Sequence, residues 1–256
     1  MLPPTVDVAS LLPLGARSAL ERAANRRVSY AVRYLLTPAP EHRVVVILGE
    51  AHVKLGWASA LGKELLSCFE LRGVETFQRR RVAAGQWLGF LIHAPRTLLR
   101  VLSFGLVKDS TIVDAKAITT GVTEELERAS AVPLALHMAA VYLAVLFSVL
   151  YPTVALQLLG VRLPGWWLGL SEAFALHCYA LLPAYLVRRK PWAWLIHPVI
   201  AILTVRDAMM AEGTVQMLRK HPGARAAIVV MGRAHLAGYV RELRERHAFV
   251  SAELSP

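Results

Sequence analysis

The sequence predicts an α/β protein: a mostly parallel sheet with flanking helices, interrupted by a transmembrane helical hairpin insertion. Three observations predict it. Two unbroken apolar runs, Val44–Leu48 and Ala226–Met231, are each closed by glycine, and continuous β-branched runs read as strands buried on both faces, as in parallel sheets. Both runs end in the same tetrad, Gly-x-x-His, as Gly49-Glu50-Ala51-His52 and Gly232-Arg233-Ala234-His235. Between them lies residues 131–160, a stretch with no charged side chain, long enough at about 1.5 Å per residue to cross a bilayer core of about 30 Å.

The elements follow in order. Residues 1–40 read as an Arg/Ala-rich helical lead-in closed by Pro38 and Pro40, since prolines of that kind mark boundaries. Residues 41–130 form the first part of the α/β domain. It holds the strand at 44–48, a helix over 54–68, a short strand Leu71–Val74 ending at Glu75, amphipathic helices over 77–107 broken near Pro95, and a helix over 110–130 with Glu124, Glu125, Glu127 and Arg128 on its exposed face. Residues 131–190 form the membrane hairpin. Its turn is Gly160–Gly165, its second arm is Trp166–Val187, and Arg188-Arg189-Lys190 stops it. Residues 191–205, with Trp192 and Trp194, read as an interfacial or packed helix. Residues 206–256 complete the α/β domain with a helix at 206–218, a turn at Pro222-Gly223, the strand at 226–231 and an amphipathic helix at 236–247.

Composition narrows the function classes. Hydrophobic residues are 55%, the mean hydropathy is +0.45, and the net charge is +11. A basic balance suits nucleic acid, anionic lipid or cytoplasmic loops. Nucleic acid is set aside because the chain carries no zinc-finger spacing and no helix-turn-helix, and its basic clusters are only Arg79–Arg81 and 188–190. Membrane lipid is the expected partner. Two cysteines, Cys68 and Cys178, make no disulfide framework and read as small buried apolar residues. The first residues lack the charged segment of a secretory signal.

The chemistry is expected at the paired tetrads. Ligands of open α/β sheets bind beyond the carboxyl ends of the strands, so two such strands would bring His52 and His235 to one edge. There each histidine is a metal ligand or a general base. Glu75 also ends a strand, and two histidines with a carboxylate form a transition-metal set, so a divalent metal ion is the expected cofactor. A shared site requires the chain to return to the same side of the membrane between the tetrads, hence an even number of crossings. With the basic flanks inside, the α/β domain is placed on the cytoplasmic side of a multi-pass membrane protein.

Gly49–Val53, Val74-Glu75 with Arg80, Arg206–Ala211 and Val229–Gly238 together resemble the TraB/PrgY/TIKI family, related to the erythromycin esterases and ChaN-like proteins. The resemblance covers residues 43–82 and 205–246. It implies one pocket in which His52 and His235 are metal ligands or catalytic bases, Glu75 is the acid, Arg206 stabilises a developing oxyanion and Asp207 orients Arg206 or its neighbours. Glu50, where the family carries a small or hydroxylated residue, is either an added ligand or a disturbance of the site. The implied activity is metal-dependent cleavage of a peptide or ester bond by a membrane-anchored hydrolase. The alternatives are a non-catalytic membrane regulator binding a peptide or small ligand in the same crevice, and a haem- or metal-handling protein.

Overall fold

The computed structural model describes residues 7–25, 29–50, 54–77, 107–108, 111–127, 153–173 and 199–254. The chain divides into two compact units, one of residues 1–78, 104–128 and 207–256, the other of 79–103 and 129–206.

The first unit is built on a six-stranded sheet. Its strands are β1 (Tyr30–Leu36), β2 (Val44–Glu50), β4 (Leu71–Phe77), β6 (Val122–Glu127), β7 (Ala226–Gly232) and β8 (Val250–Ala252), in the order β6-β4-β7-β2-β1-β8. β6, β4, β7 and β2 run parallel, whereas β1 pairs antiparallel with both β2 and β8. A two-stranded sheet pairs β3 (Lys54–Leu55) with β5 (Val107–Lys108) antiparallel. The central strands are those expected from the sequence: all seven residues of β2 are buried, as strands covered on both faces must be. Side chains alternate across β2. Val44, Val46 and Leu48 pack with α2 (Ala16–Asn25), α3 (Gly56–Ser67) and α4 (Thr111–Ala117). Val45 and Ile47 pack with the opposite layer, which includes Met210, Met217, Tyr239 and Leu243 from α5 (Val199–Lys220) and α6 (Leu236–His247). A short helix α1 (Val8–Leu11) precedes these, capped by Asp7, whose carboxylate accepts from the Ala9 amide.

Four expectations are corrected. The lead-in at 1–40 is not helical throughout: its last third is β1, a run of Tyr, Val and Leu that lies against β2 in register, Tyr30 opposite Glu50. The expected helix at 110–130 ends at Ala117, and residues 122–127 are the edge strand β6. Its acidic composition favours helix, but Gly121 turns the chain at φ +69°, the Val122 amide donates to the Glu70 carbonyl at 2.7 Å, and Lys220 and Lys116 pair with Glu124 and Glu125. Glu127, expected on an exposed face, is buried. The separate helices expected at 191–205 and 206–218 are, from Val199 to Lys220, the single helix α5, while the first unit resumes at Asp207.

The transmembrane hairpin at 131–190 is the fourth correction. Among the described residues no helix is long and apolar enough to cross a membrane. Of that range the structure describes 153–173, where helical residues 153–158 and 165–173 flank the turn. α5 has 22 residues, but Arg206, Asp207, Glu212, Arg219 and Lys220 interrupt its apolar character. Residues 78–106, 131–152, 174–198 and Cys178 lie outside the described residues.

At the amino-terminal ends of the parallel strands, the Arg72 guanidinium is buried and donates to the carbonyls of Phe69, Leu66 and Thr120 and to the Thr123 hydroxyl. Leu66 belongs to the last turn of α3, where carbonyls lack helical partners and a cation is favoured. Burial lowers the Arg72 pKa from its usual value. A cavity of 560 Å³ lies at this same end, lined in part by Phe69, Thr120, Lys220 and His221. It holds none of the expected site residues.

Candidate functional site

The parallel strands all deliver their carboxyl ends to the opposite edge, and β7 supplies its centre. Its last residue, Gly232, lies opposite Glu50 of β2, and the Arg233 amide donates to the Glu50 carbonyl at 2.9 Å. The chain then makes a single turn, with the His235 amide on the Gly232 carbonyl at 2.9 Å. His235 caps α6 without using its side chain for that purpose. The imidazole is therefore available to face inward, and it is 4% exposed.

Asp207, from α5, reaches the ring. Its Oδ1 lies 2.7 Å from His235 Nδ1. An ionised carboxylate only accepts, so Nδ1 carries the donated proton, and Nε2 is the nitrogen turned to the rest of the site. Asp207 can come this close because residue 238 is glycine. A Cβ there would stand 1.6 Å from Asp207 Oδ2, and the three nearest heavy atoms all belong to Asp207. The carboxylate thus occupies the notch in the first turn of α6, where the helix dipole favours negative charge.

Glu75, from β4, faces the other ring nitrogen. Its Oε2 accepts from the Gly232 amide, and its Oε1 stands 3.4 Å from His235 Nε2. Both side chains are almost fully buried. That separation exceeds the usual 2.7–3.2 Å of a hydrogen bond to nitrogen. With Nδ1 protonated, a neutral ring would set the Nε2 lone pair against a carboxylate oxygen, two acceptors facing each other in a desolvated space. A cation between the two atoms would relieve such a contact.

The residues fit a metal in part. Two ligands at bonds of about 2.0–2.1 Å around a tetrahedral centre stand roughly 3.3–3.4 Å apart, which is the Nε2–Oε1 separation found here. A carboxylate on the far nitrogen of a ligating histidine is the usual outer partner, and Asp207 holds that place. Among the described residues, however, no group of three His, Cys, Asp or Glu side chains is arranged to hold a metal ion. The third expected ligand, His52, lies outside the described residues, as does Arg80.

Two further residues complete the inventory. Arg206 precedes Asp207 on α5 and is half-buried; neighbours in a helix do not face the same way. Glu50 is 1% exposed and sits at the end of β2. Its Oε2 accepts from the Thr111 amide at 2.8 Å, while its Oε1 is buried without a hydrogen-bond partner. By strand alternation it points to the α4 face, whereas Glu75 points to the α5 and α6 face. Beside it, the Tyr30 hydroxyl lies 3.3 Å from Thr111 Oγ1. Burial first, and then the charges of Glu50 and Asp114, push the Tyr30 hydroxyl up to about 12 against the lowering effect of the Thr111 bond.

The sequence pointed to His235, Glu75 and Asp207, and the structure brings these three together. It did not reveal that Asp207 serves the histidine ring. The only sequence signal for that was Gly238, whose meaning depends on α5 crossing in front of it. Compared with protein-family models, curated proteins and solved structures, the chain matches none.

Proposed function

We propose that the chain is a hydrolase of the TraB/PrgY/TIKI type, in which His235 and Glu75 activate water against a peptide or ester carbonyl. The observation that carries the reading is the 3.4 Å gap between His235 Nε2 and Glu75 Oε1, with Asp207 fixing the ring from behind. A histidine so held, with Nε2 turned to Glu75 at the carboxyl end of the sheet, has the arrangement of a general base. If a divalent metal ion is bound, His235 Nε2 and Glu75 Oε1 are the atoms that would hold it, and it would supply Lewis-acid chemistry. In either case the chain's own work is the same. Asp207 fixes the tautomer, the Gly232 amide fixes Glu75, and burial strengthens each electrostatic contact. Arg206 is proposed as the oxyanion partner on the strength of the resemblance and its permanent charge.

The second reading is a non-catalytic regulator that binds a peptide or small ligand at this edge. The burial of His235 and Glu75, at 4% and 7% exposure, bears equally on both readings, since a substrate and a ligand need the same path to the edge. Purified protein assayed for bound metal and for cleavage of peptide and ester panels separates the two. Under the hydrolase reading, His235→Ala and Glu75→Gln each reduce turnover at least a hundredfold, in line with the loss of a general base. Turnover unchanged by both substitutions would overturn it.

A further inference from the structure

Most of the chain's net charge belongs to its second compact unit. Residues 79–103 and 129–206 hold ten arginines and lysines against one acid, Glu172, a net +9 of the chain's +11. Five of the six tryptophans lie there too. Within that unit, residues 131–171 contain a single charged side chain, Arg162, which is exposed in the turn of the described hairpin, 153–173. The hairpin is a built structure. Its first helical stretch, 153–158, is closed by Gly160 at φ +74°, with the Val161 amide on the Leu156 carbonyl and the Gly160 amide on the Gln157 carbonyl, both at 3.0 Å. Such a pair of bonds stops a helix and satisfies its end carbonyls. The second stretch, 165–173, starts on the Pro164 carbonyl, which accepts from the Trp167 and Leu168 amides. The two stretches are clasped at the buried Thr153 hydroxyl, which accepts from the Trp167 indole and lies 2.9 Å from Ser171 Oγ. Around the turn, apolar side chains face outward. Leu158 is 84% exposed, Leu159 77% and Trp166 68%, and Val161 and Leu170 are exposed as well.

We infer that this tip seats in the headgroup layer of an anionic lipid membrane, with Leu158, Leu159 and Trp166 at the acyl boundary and Arg162 on the lipid phosphates. Three observations favour lipid over a protein partner. Side chains on a turn between two helices diverge, so a protein would need a matching hollow, whereas a fluid bilayer closes around a convex tip. Tryptophan, with an apolar ring and a polar N–H, is a residue of the membrane–water boundary. The basic excess of the unit complements the negative surface of an anionic leaflet, which attracts Lys and Arg within about a Debye length. The clasp sets the depth. Thr153 to Leu158 spans about 8 Å along a helix, within the about 5–10 Å to which an interfacial helix sinks its apolar face. Exposed Glu172, next to Ser171 of the clasp, then stays in water. The tip is therefore an anchor on one leaflet and does not cross the bilayer. The inference goes beyond the hydrolase reading and does not depend on it.

The test is flotation of the full chain with vesicles of phosphatidylcholine alone and with about a third phosphatidylserine. The wild type is expected to bind the anionic vesicles at least tenfold more tightly, and added salt to weaken that binding. Arg162→Gln lowers the affinity about fivefold, the effect of one charge near the surface. Leu158→Ser combined with Leu159→Ser lowers it at least tenfold. Both side chains are exposed, so the variant keeps its fold, which circular dichroism checks. Lipids with brominated acyl chains quench the fluorescence of the wild type more than that of Trp166→Phe. Equal binding by the wild type and the double leucine variant overturns the inference, because attachment then lies elsewhere in the chain. So does equal binding to the two kinds of vesicle, or failure to float with either. A preference for duplex DNA over anionic vesicles overturns it in favour of nucleic acid. Self-association that the double leucine variant abolishes, without vesicle binding in the parent, overturns it in favour of a second copy.

Discussion

Gly238→Ala is the sharpest mechanical test of how the site is held. In an ordinary exposed helix the change stabilises by about 1 kcal/mol, because alanine is the better helix former. Here the new Cβ would stand 1.6 Å from Asp207 Oδ2 and 2.6 Å from its Cγ, far inside van der Waals contact. Asp207 cannot rotate away and keep its 2.7 Å bond to His235 Nδ1. Overpacking of a close contact costs about 1–3 kcal/mol, and loss of a buried hydrogen bond to a charged group about 1.5–3 kcal/mol. Net of the helix gain, the substitution is expected to destabilise by about 2–4 kcal/mol, read by urea unfolding. The decisive measurement is the double-mutant cycle. In an Asp207→Ala background the clashing oxygen is gone, so Gly238→Ala becomes neutral or stabilising by up to about 1 kcal/mol. A loss of equal size in both backgrounds, or no loss in the parent, would refute the claim that the glycine is a seat for Asp207.

Arg72→Met keeps much of the volume but strips the donors from the Leu66, Phe69 and Thr120 carbonyls; a stability loss of about 3 kcal/mol is expected, with ligand binding at the far edge of the sheet unchanged once the protein is folded. Burial raises the Glu124 pKa, but hydrogen bonds from Lys220 and His221 outweigh it and leave the carboxyl below its usual 4.5. A depressed carboxylate contributes stability above its unfolded value and loses it as pH falls through the folded one. Acid titration of Tm should therefore fall less steeply below about pH 4.5 in Glu124→Gln than in the parent, and identical slopes would remove the role. Gly213→Ala places a Cβ 2.1 Å from the Leu126 carbonyl oxygen. That neighbour is backbone and cannot rotate aside, so separation of α5 from β6 and a loss of about 2–3 kcal/mol is expected, measurable by thermal unfolding.

How much of this was legible in the sequence depends on whether an element announces itself or is made by its neighbours. β2 and β7 announce themselves, because a strand covered on both faces needs an unbroken apolar run and little else has one. β6 does not: Val-Thr-Glu-Glu-Leu-Glu is a strand only because β4 offers an edge and Lys116 and Lys220 neutralise its acids. β1 was hidden by the arginines and alanines before it. The site followed the same division. His235 and Glu75 were visible as residues closing strands, while the Asp207 contact is tertiary, spanning 28 residues between two helices. The hairpin was misread because an uncharged run satisfies the length rule for a membrane span without showing what helix is made. Among the described residues the long helix, α5, is charged, and none is long and apolar enough to cross a membrane.

The charge of the chain and the chemistry of the site are read at different distances. A net charge of +11 suggests an anionic partner, and at the level of long-range attraction that inference is sound. A site, however, is read from charges within a few ångströms and shielded from water, since solvent screens the rest over about 8 Å at physiological salt. At the carboxyl edge those near charges are Glu50, Glu75, Glu127 and Asp207, all inside the fold. The His235 ring lies against two of them, Glu75 and Asp207. Exposed basic side chains such as Arg225, Arg233 and Arg244 set the sign felt at a distance, whereas a ligand in place meets the groups of the carboxyl edge itself.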